Sequence, residues 1–398
     1  MGTRRRRSRT DGASSAPLPR PPVPVLANYY VTYRCNAKCG FCDIWEKPSP
    51  MIDLADAARN LDDLKRLGVK IVDFTGGEPL LHTRLHDLLA MAKERGMRTT
   101  VTTNGLLYPK RAAQLKGLVD LLHFSIDAPY PGAHDRSRGV RCFNRLMQSI
   151  EVALEMGERP DLIFTVTNES YPYLETIYER FSRPNGLMLI VNPVFEYEGL
   201  GEALTDEVMR KMEAFARKPY VYLNPAFLAL RRAGGNDPAR PECRAVSTTV
   251  VISPFDEIVL PCYHFGLERV PIGGDLYGLW HSEKVAWHRA MQGRHEVCRG
   301  CTVNCYFEPS FATNPRSPYF WQSLPGKARY AWTKFVAQRL DARRGPREAI
   351  LPLLADLEAE EAALDTAHAA ATAASGDGAS GAPVVSMGDG AAAGAVAA

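Results

Sequence analysis

Between residues 27 and 192 short β-rich runs alternate with amphipathic helical stretches, and no other feature of this 398-residue chain restricts its fold as strongly. Such alternation leads to parallel strands joined by crossover helices. The pattern predicts strands over 29–33, 70–74, 98–102, 121–126, 162–166 and 188–191. Helices are predicted over 53–67, 85–95, 143–156 and 173–181, where apolar residues recur at three- and four-residue spacing. Six βα units are too few to close an eight-stranded barrel. The expected fold is therefore α/β, a partial (β/α)6 barrel with its chemistry at the carboxyl ends of the strands.

A helical bridge is predicted over 205–232, and the Gly, Asn, Asp and Pro of 234–240 read as a boundary. Beyond it lies a small α+β module, with a hairpin over 248–252 and 258–260 around Ser253-Pro254-Phe255-Asp256-Glu257 and a helix over 276–291. The segment 318–344 interleaves aromatics with Lys and Arg and reads as a helix packed back on the barrel. The resulting organisation is a disordered tail over 1–26, a barrel over 27–235, a cysteine module over 236–322, C-terminal helices over 323–365 and a disordered Ala/Gly-rich tail over 366–398.

The formal charge of +3 is too mild to indicate nucleic acid. Arg4 to Arg7 are followed by no apolar block that would make a targeting signal, and no window offers the ~20 apolar residues of a transmembrane helix. These features predict a cytoplasmic protein. Without a signal peptide, nine cysteines, odd in number and clustered, point to metal ligation instead of disulfides. Cys142 stands alone and reads as a small buried side chain.

Cys35, Cys39 and Cys42 follow the first predicted strand with CxxxCxxC spacing. Three thiolates leave one coordination position open, which favours catalysis, whereas a structural site uses four. A zinc knob completed by a distant ligand such as His82 fits the same spacing. With Phe41 before its last cysteine, the motif resembles that of the radical S-adenosylmethionine (radical SAM) superfamily. The resemblance implies a [4Fe–4S] cluster on Cys35, Cys39 and Cys42 and S-adenosyl-L-methionine chelated at its open iron. One-electron cleavage would then give a 5′-deoxyadenosyl radical that takes hydrogen from a substrate.

Thr75-Gly76-Gly77-Glu78-Pro79 resembles the family's GGEP element, which contacts the methionine amino group. Paired glycines allow backbone to approach a ligand closely, and Glu78 or nearby carbonyls can accept from an ammonium. Thr103-Asn104-Gly105 and Ser125-Ile126-Asp127 resemble the turns after the family's third and fourth strands. His134-Asp135-x-x-Arg138-Gly139 resembles its HDxxRG stretch, which implies that Arg138 pairs with the methionine carboxylate. Each of these also reads as a capping or turn residue, and Asn168 is a further candidate of the same kind.

Cys243, Cys262, Cys298, Cys301 and Cys305 resemble the SPASM and twitch modules of this family, with Leu260-Pro261-Cys262 and Leu279-Trp280-His281-Ser282 in the usual places. Five cysteines are too few for two auxiliary clusters. The twitch pattern assigns one [4Fe–4S] cluster to Cys243, Cys262, Cys298 and Cys301, and leaves Cys305 as a spare thiol, an alternative ligand or a ligand of a vestigial site. A zinc ribbon fits the spacing too.

An auxiliary cluster can accept an electron from a substrate radical, so the resemblance implies an oxidoreductase acting on a small molecule, supplied with electrons by a flavodoxin- or ferredoxin-type reductant. The alternatives are radical modification of a ribosomally made peptide and a non-catalytic zinc or iron–sulfur protein. The cysteine motif starts at residue 35, which leaves no room for an N-terminal leader-binding domain and weakens the peptide reading. Asn192, Glu196, Tyr197, Tyr263 and His264 are candidate substrate contacts, and spacing alone selects no general base.

Overall fold

The structure is a computed structural model that describes residues 22–196, 202–342, 350 and 353–374. Its centre is one ten-stranded sheet. Strands β1 (Leu26–Thr32), β2 (Ile71–Gly76), β3 (Arg98–Thr103), β4 (Leu121–Ser125), β5 (Asp161–Val166), β6 (Leu189–Pro193) and β7 (Val221–Tyr222) run parallel in chain order. All six expected strands are present. The seventh lies inside the stretch read as a helical bridge, where two residues are too few to leave a periodic signal.

On the other side of β1 the sheet continues through β8 (Thr249–Ile252), β9 (Glu257–Leu260) and β10 (Glu268–Pro271). β8 pairs with β1 in parallel, from Leu26 opposite Thr249 to Tyr29 opposite Ile252. The expected hairpin is there, but it extends the barrel sheet and does not make a sheet of its own. Pairing covers an edge of β1 that would otherwise expose unpaired backbone groups, and strand pattern alone cannot show which edge is covered.

Alternation along the strands sends Tyr29, Val31, Val72, Phe74, Val101, Phe124, Leu162 and Phe164 outward into the main core, under the crossover helices. These helices include α1 (Leu54–Leu67), α2 (Leu85–Glu94), α3 (Tyr108–Leu115), α4 (Pro131–Arg138) and α5 (Phe143–Glu155). Asp53 starts α1 by accepting from the amide of Ala55 at 2.7 Å, and Gly68 ends it at φ +94°, a conformation that favours glycine. A second apolar cluster, with Tyr30, Tyr33, Val251, Val259, Tyr306 and Phe307, fills the concave side where the cysteine module closes on the sheet.

The helix Pro318–Trp332 packs on the barrel as expected. Tyr330 Oη donates to the buried Asp161 at 2.6 Å, and Lys334 Nζ reaches its other oxygen at 2.6 Å. Burial alone would raise the Asp161 carboxyl, but Lys334 and His123 outweigh it and hold the group below its ordinary range. Two boundaries differ from expectation. The helix over 276–291 is two, broken where Ser282 caps the second by accepting from Val285. The last helix, Leu354–Ala374, runs past residue 365, because the alanines that leave little surface to bury are also the best helix formers. Residues 1–21 and 375–398 of the expected tails lie outside the described residues.

Candidate active site

The Cys35–Cys42 loop leaves the carboxyl end of β1 and is gripped from two sides. From β2, the amide of Gly77 donates to Thr32 O at 3.0 Å and that of Glu78 to Arg34 O at 2.9 Å. A Cβ on Gly76 would stand 2.0 Å from Thr32 O, and one on Gly77 2.4 Å from Tyr33 O and Arg34 O. The two glycines therefore allow backbone to approach the cysteine loop itself, where the sequence had suggested approach to a ligand. The Glu78 carboxylate is likewise engaged within the protein. It accepts from Thr103 Oγ1 at 2.7 Å, the Asn104 amide at 2.9 Å and the Leu80 amide at 3.1 Å, which leaves the backbone carbonyls of this turn as acceptors for an ammonium.

From the other side, the Lys38 amide donates to Arg138 O at 2.9 Å, and a Cβ on Gly139 would meet Lys38 O at 2.3 Å. Asn104 Nδ2 donates to Asn36 Oδ1 inside the loop at 2.8 Å. Thus the strand-end motifs converge on one loop. Arg138 makes a buried ion pair with Asp127, Nη2 to Oδ1 at 2.8 Å and Nε to Oδ2 at 2.7 Å, and Nη1 lies 3.8 Å from Cys39 Sγ. Its partner in this structure is thus Asp127, where a methionine carboxylate had been expected. His134 is fully buried and accepts from the Asp127 amide at 3.1 Å. Burial pushes its imidazole down to about 4, so it is a neutral brace. Glu361 of the last helix accepts from the amides of Gly132 and Ala133, each at 2.7 Å, at the start of α4.

Phe41 is 61 % exposed, with its ring 5.7 Å from the Arg138 guanidinium. Ser125 points to the inner side of β4 with His123, opposite Leu122 and Phe124. His82, considered as a distant ligand, is buried with Nε2 on Ile52 O at 3.0 Å. Asn168 bonds to Ala203 O at 2.9 Å and to the Thr205 amide at 2.9 Å, so it acts as a loop clasp.

In the second group, Cys243, Cys262, Cys298 and Cys301 line one cavity, with Ala245, Pro261, Phe265, Val303, Tyr306 and Phe307 around them. Among the described residues no three Cys, His, Asp or Glu side chains converge tightly enough for a single metal ion. The thiols surround a space, and that donor set fits a polynuclear sulfide cluster. Asn236, which the sequence placed in a linker, organises the cavity. Its Nδ2 donates to Gly293 O at 2.8 Å and Cys298 O at 3.1 Å, and its Oδ1 accepts from the amides of Glu242 at 3.2 Å and Cys243 at 3.4 Å. Burial pushes the Cys35 and Cys301 thiols up to about 11 and that of Cys305 to about 12. As thiols they are protonated; ligation would require their protons to leave.

Cys305 does not line that cavity. Its Sγ lies 3.6 Å from His264 Nε2 at the start of the helix Asn304–Ala312. Although solvent reaches it, desolvation by the surrounding protein raises its thiol. Tyr263 stacks on Tyr30 at 4.3 Å, and Tyr306 Oη accepts from its amide at 2.8 Å. Asn192 lies on the inner side of β6, the Glu196 amide is held by Thr302 Oγ1 at 2.8 Å, and Tyr197 lies outside the described residues. Cys142 is buried, as expected.

The profile of the radical SAM superfamily matches residues 29–181, the span that carries the cysteine loop and every strand-end motif gripping it. This segment is a radical SAM domain. Such a domain works with a [4Fe–4S] cluster and S-adenosyl-L-methionine. The AdoMet-dependent heme synthase of Oleidesulfovibrio alaskensis is 30% identical over 40% of this chain and 42% of its own, and a GTP 3′,8-cyclase of Desulforamulus reducens is 30% identical over 33% and 42%. The chain thus spans less than half of these curated relatives. In fold it resembles SuiB of Streptococcus suis, with TM-score 0.56 and 21% identity over 71% of this chain and 72% of that one. It also resembles anSMEcpe, solved with AdoMet and the Cp18Cys peptide, with TM-score 0.53 and 16% identity over 81% and 99%. No helix among the described residues is long and apolar enough to cross a membrane.

Proposed function

We propose that the chain is a two-cluster radical SAM oxidoreductase that abstracts hydrogen from a small molecule and passes the resulting electron to an auxiliary centre. Cys35, Cys39 and Cys42 would hold the SAM-binding cluster, and Cys243, Cys262, Cys298 and Cys301 an auxiliary [4Fe–4S] cluster. The observation that carries this reading is that four thiols from distant segments surround one cavity on the concave side of the same sheet that presents the SAM-type loop. When bound, these groups supply a 5′-deoxyadenosyl radical and an electron acceptor.

The rest is the work of the chain. Backbone bonds from Gly77, Glu78 and Lys38 fix the loop, Asn104 ties its centre, and Asp127 orients Arg138 toward Cys39. Phe41 presents an exposed ring beside that guanidinium for a flat group of the bound nucleoside. Gly76, Pro79 and Ser125 complete the cofactor-facing strand ends. Cys305 is assigned as a spare thiol of the concavity. We further place the protein in a reducing compartment with a flavodoxin- or ferredoxin-type donor, consistent with nine free cysteines.

The test is anaerobic reconstitution with iron and sulfide, then assay of 5′-deoxyadenosine with dithionite and S-adenosylmethionine. About eight irons are expected, with roughly half lost in Cys35→Ala/Cys39→Ala/Cys42→Ala together with all cleavage. Zinc in place of iron, or no cleavage by wild type, overturns the proposal.

A further inference from the structure

The inner faces of the strands carry Asn28, Asp73, Thr100, Thr102, His123 and Asn192, opposite in register to residues of the main core. Half-buried Asp73 differs from the acids Asp127, Asp161 and Glu78. Asp127 is paired with Arg138, Asp161 with Lys334, and Glu78 is held by Thr103 and two amides. Asp73 accepts from the hydroxyl of Thr100, and among the described residues no lysine or arginine lies within ion-pair distance of it.

Arg231 and Lys47 are engaged elsewhere. Arg231 bonds Val194 O at 2.7 Å and Asn304 Oδ1 at 3.2 Å, and Lys47 pairs with Asp43 at 3.0 Å. Asp73 is also within electrostatic reach of Cys305, which is itself within reach of Cys301 of the cysteine cavity. Among the described residues the interior therefore offers hydrogen-bonding groups and, within reach of Cys305, the Asp73 carboxylate without a lysine or arginine partner.

We propose that Asp73 binds the hydroxyl of an uncharged or cationic alcohol substrate and takes its proton as the substrate radical is oxidised. This rests on the two-cluster reading above. When bound, the two groups would supply hydrogen abstraction from the carbinol carbon and a one-electron acceptor for the radical; the part of the chain is at Asp73, whose carboxylate takes the proton as the O–H bond breaks and the C=O double bond forms. Desolvation raises the Asp73 carboxyl against the hydroxyl bond from Thr100 and the nearby His123, and a carboxylate with a raised pKa is a competent base for this step. An anionic substrate would meet the Asp73 carboxylate, which among the described residues has no arginine or lysine paired with it to offset the repulsion. That separates this chain from a GTP cyclase, whose substrate carries phosphates.

The probes are glucosamine, glucose and glucose 6-phosphate, which share a ring and differ in charge. With oxidised holoenzyme, S-adenosylmethionine and no reductant, glucosamine should bind about tenfold more tightly than glucose 6-phosphate, and Asp73→Asn should abolish that difference. Preference for the phosphate, no sugar binding, or an unchanged ratio in Asp73→Asn overturns the inference. After reduction with dithionite, carbinol-deuterated glucosamine should pass deuterium into 5′-deoxyadenosine. The ratio of carbonyl product to deuterated 5′-deoxyadenosine should fall about a hundredfold in Asp73→Asn and recover in part in Asp73→Glu. If wild type forms 5′-deoxyadenosine but takes no deuterium, the alcohol assignment fails and the radical reading stands. If it forms none at all while the binding preference holds, the radical reading fails first.

Discussion

The Cys35–Cys42 loop is continuous in sequence and is held from outside, by backbone bonds from the ends of β2 and α4, whereas Cys243, Cys262, Cys298 and Cys301 come from distant segments and are held from within by Asn236. A short loop needs only to be kept in one shape. A cavity assembled across the chain needs its parts brought to the right spacing, and a side-chain amide with two donors and an acceptor oxygen can join several strands of backbone at once. The difference implies that the first site depends chiefly on the backbone approach of its neighbours, and the second chiefly on one side chain.

The strongest way to break the comparison is Cys39→Ala. It should abolish 5′-deoxyadenosine formation while leaving the iron of the cavity, as read by iron counting and electron paramagnetic resonance. Gly76→Ala comes next. Its Cβ would collide with Thr32 O at a φ of +144°, so a loss of at least about 3 kcal/mol is expected in denaturation, together with loss of iron from the first site. Acidification tests the brace behind Arg138. An unfolded histidine takes its proton near 6.5 and buried His134 only near 4, so stability is fully present above pH 6.5 and falls by about 3 kcal/mol as pH drops through that window. Protection of the Asp127 amide against hydrogen exchange, corrected for the intrinsic rate, should decline from pH 7 to pH 5.

Asn236→Ala sharpens the other half. It removes the amide donor shared by the carbonyls of Gly293 and Cys298 at a cost of about 1–3 kcal/mol, and should halve iron content while S-adenosylmethionine cleavage persists. The smallest effect belongs to Cys305→Ser. Iron content and the signal of the cavity's cluster should not change, and loss of either would return Cys305 to the ligand set.

The fold was largely legible because a parallel barrel writes its strands as separate apolar runs of the right length, and 98–102 or 162–166 need no tertiary information to be recognised. β7 and β10 were not legible, since two residues carry no period and Glu268-Arg269-Val270-Pro271 sets one strand former among charges and a proline. Of the site, the cysteine spacings and the Gly76-Gly77-Glu78-Pro79 turn stood out because the chemistry needs specific atoms at short sequence distances. Asn236 and Asp73 did not, because a polar residue in a loop or strand looks the same whether it clasps a cavity, faces a barrel interior or meets water.

By itself the sequence determined which residues can ligate and that the strands are parallel, since both depend on local composition and spacing. Tertiary structure alone decided that Gly76 and Gly77 serve a backbone contact, that Glu78 and Arg138 have partners within the protein, and that β8 continues the barrel sheet. It also separated Cys305 from the four cavity thiols and, among the described residues, left Asp73 without a lysine or arginine partner. The physical reason is one of range. A side chain's type is set at its own position, but the groups that satisfy its charge and hydrogen bonds arrive from elsewhere in the chain, and only the folded packing selects them.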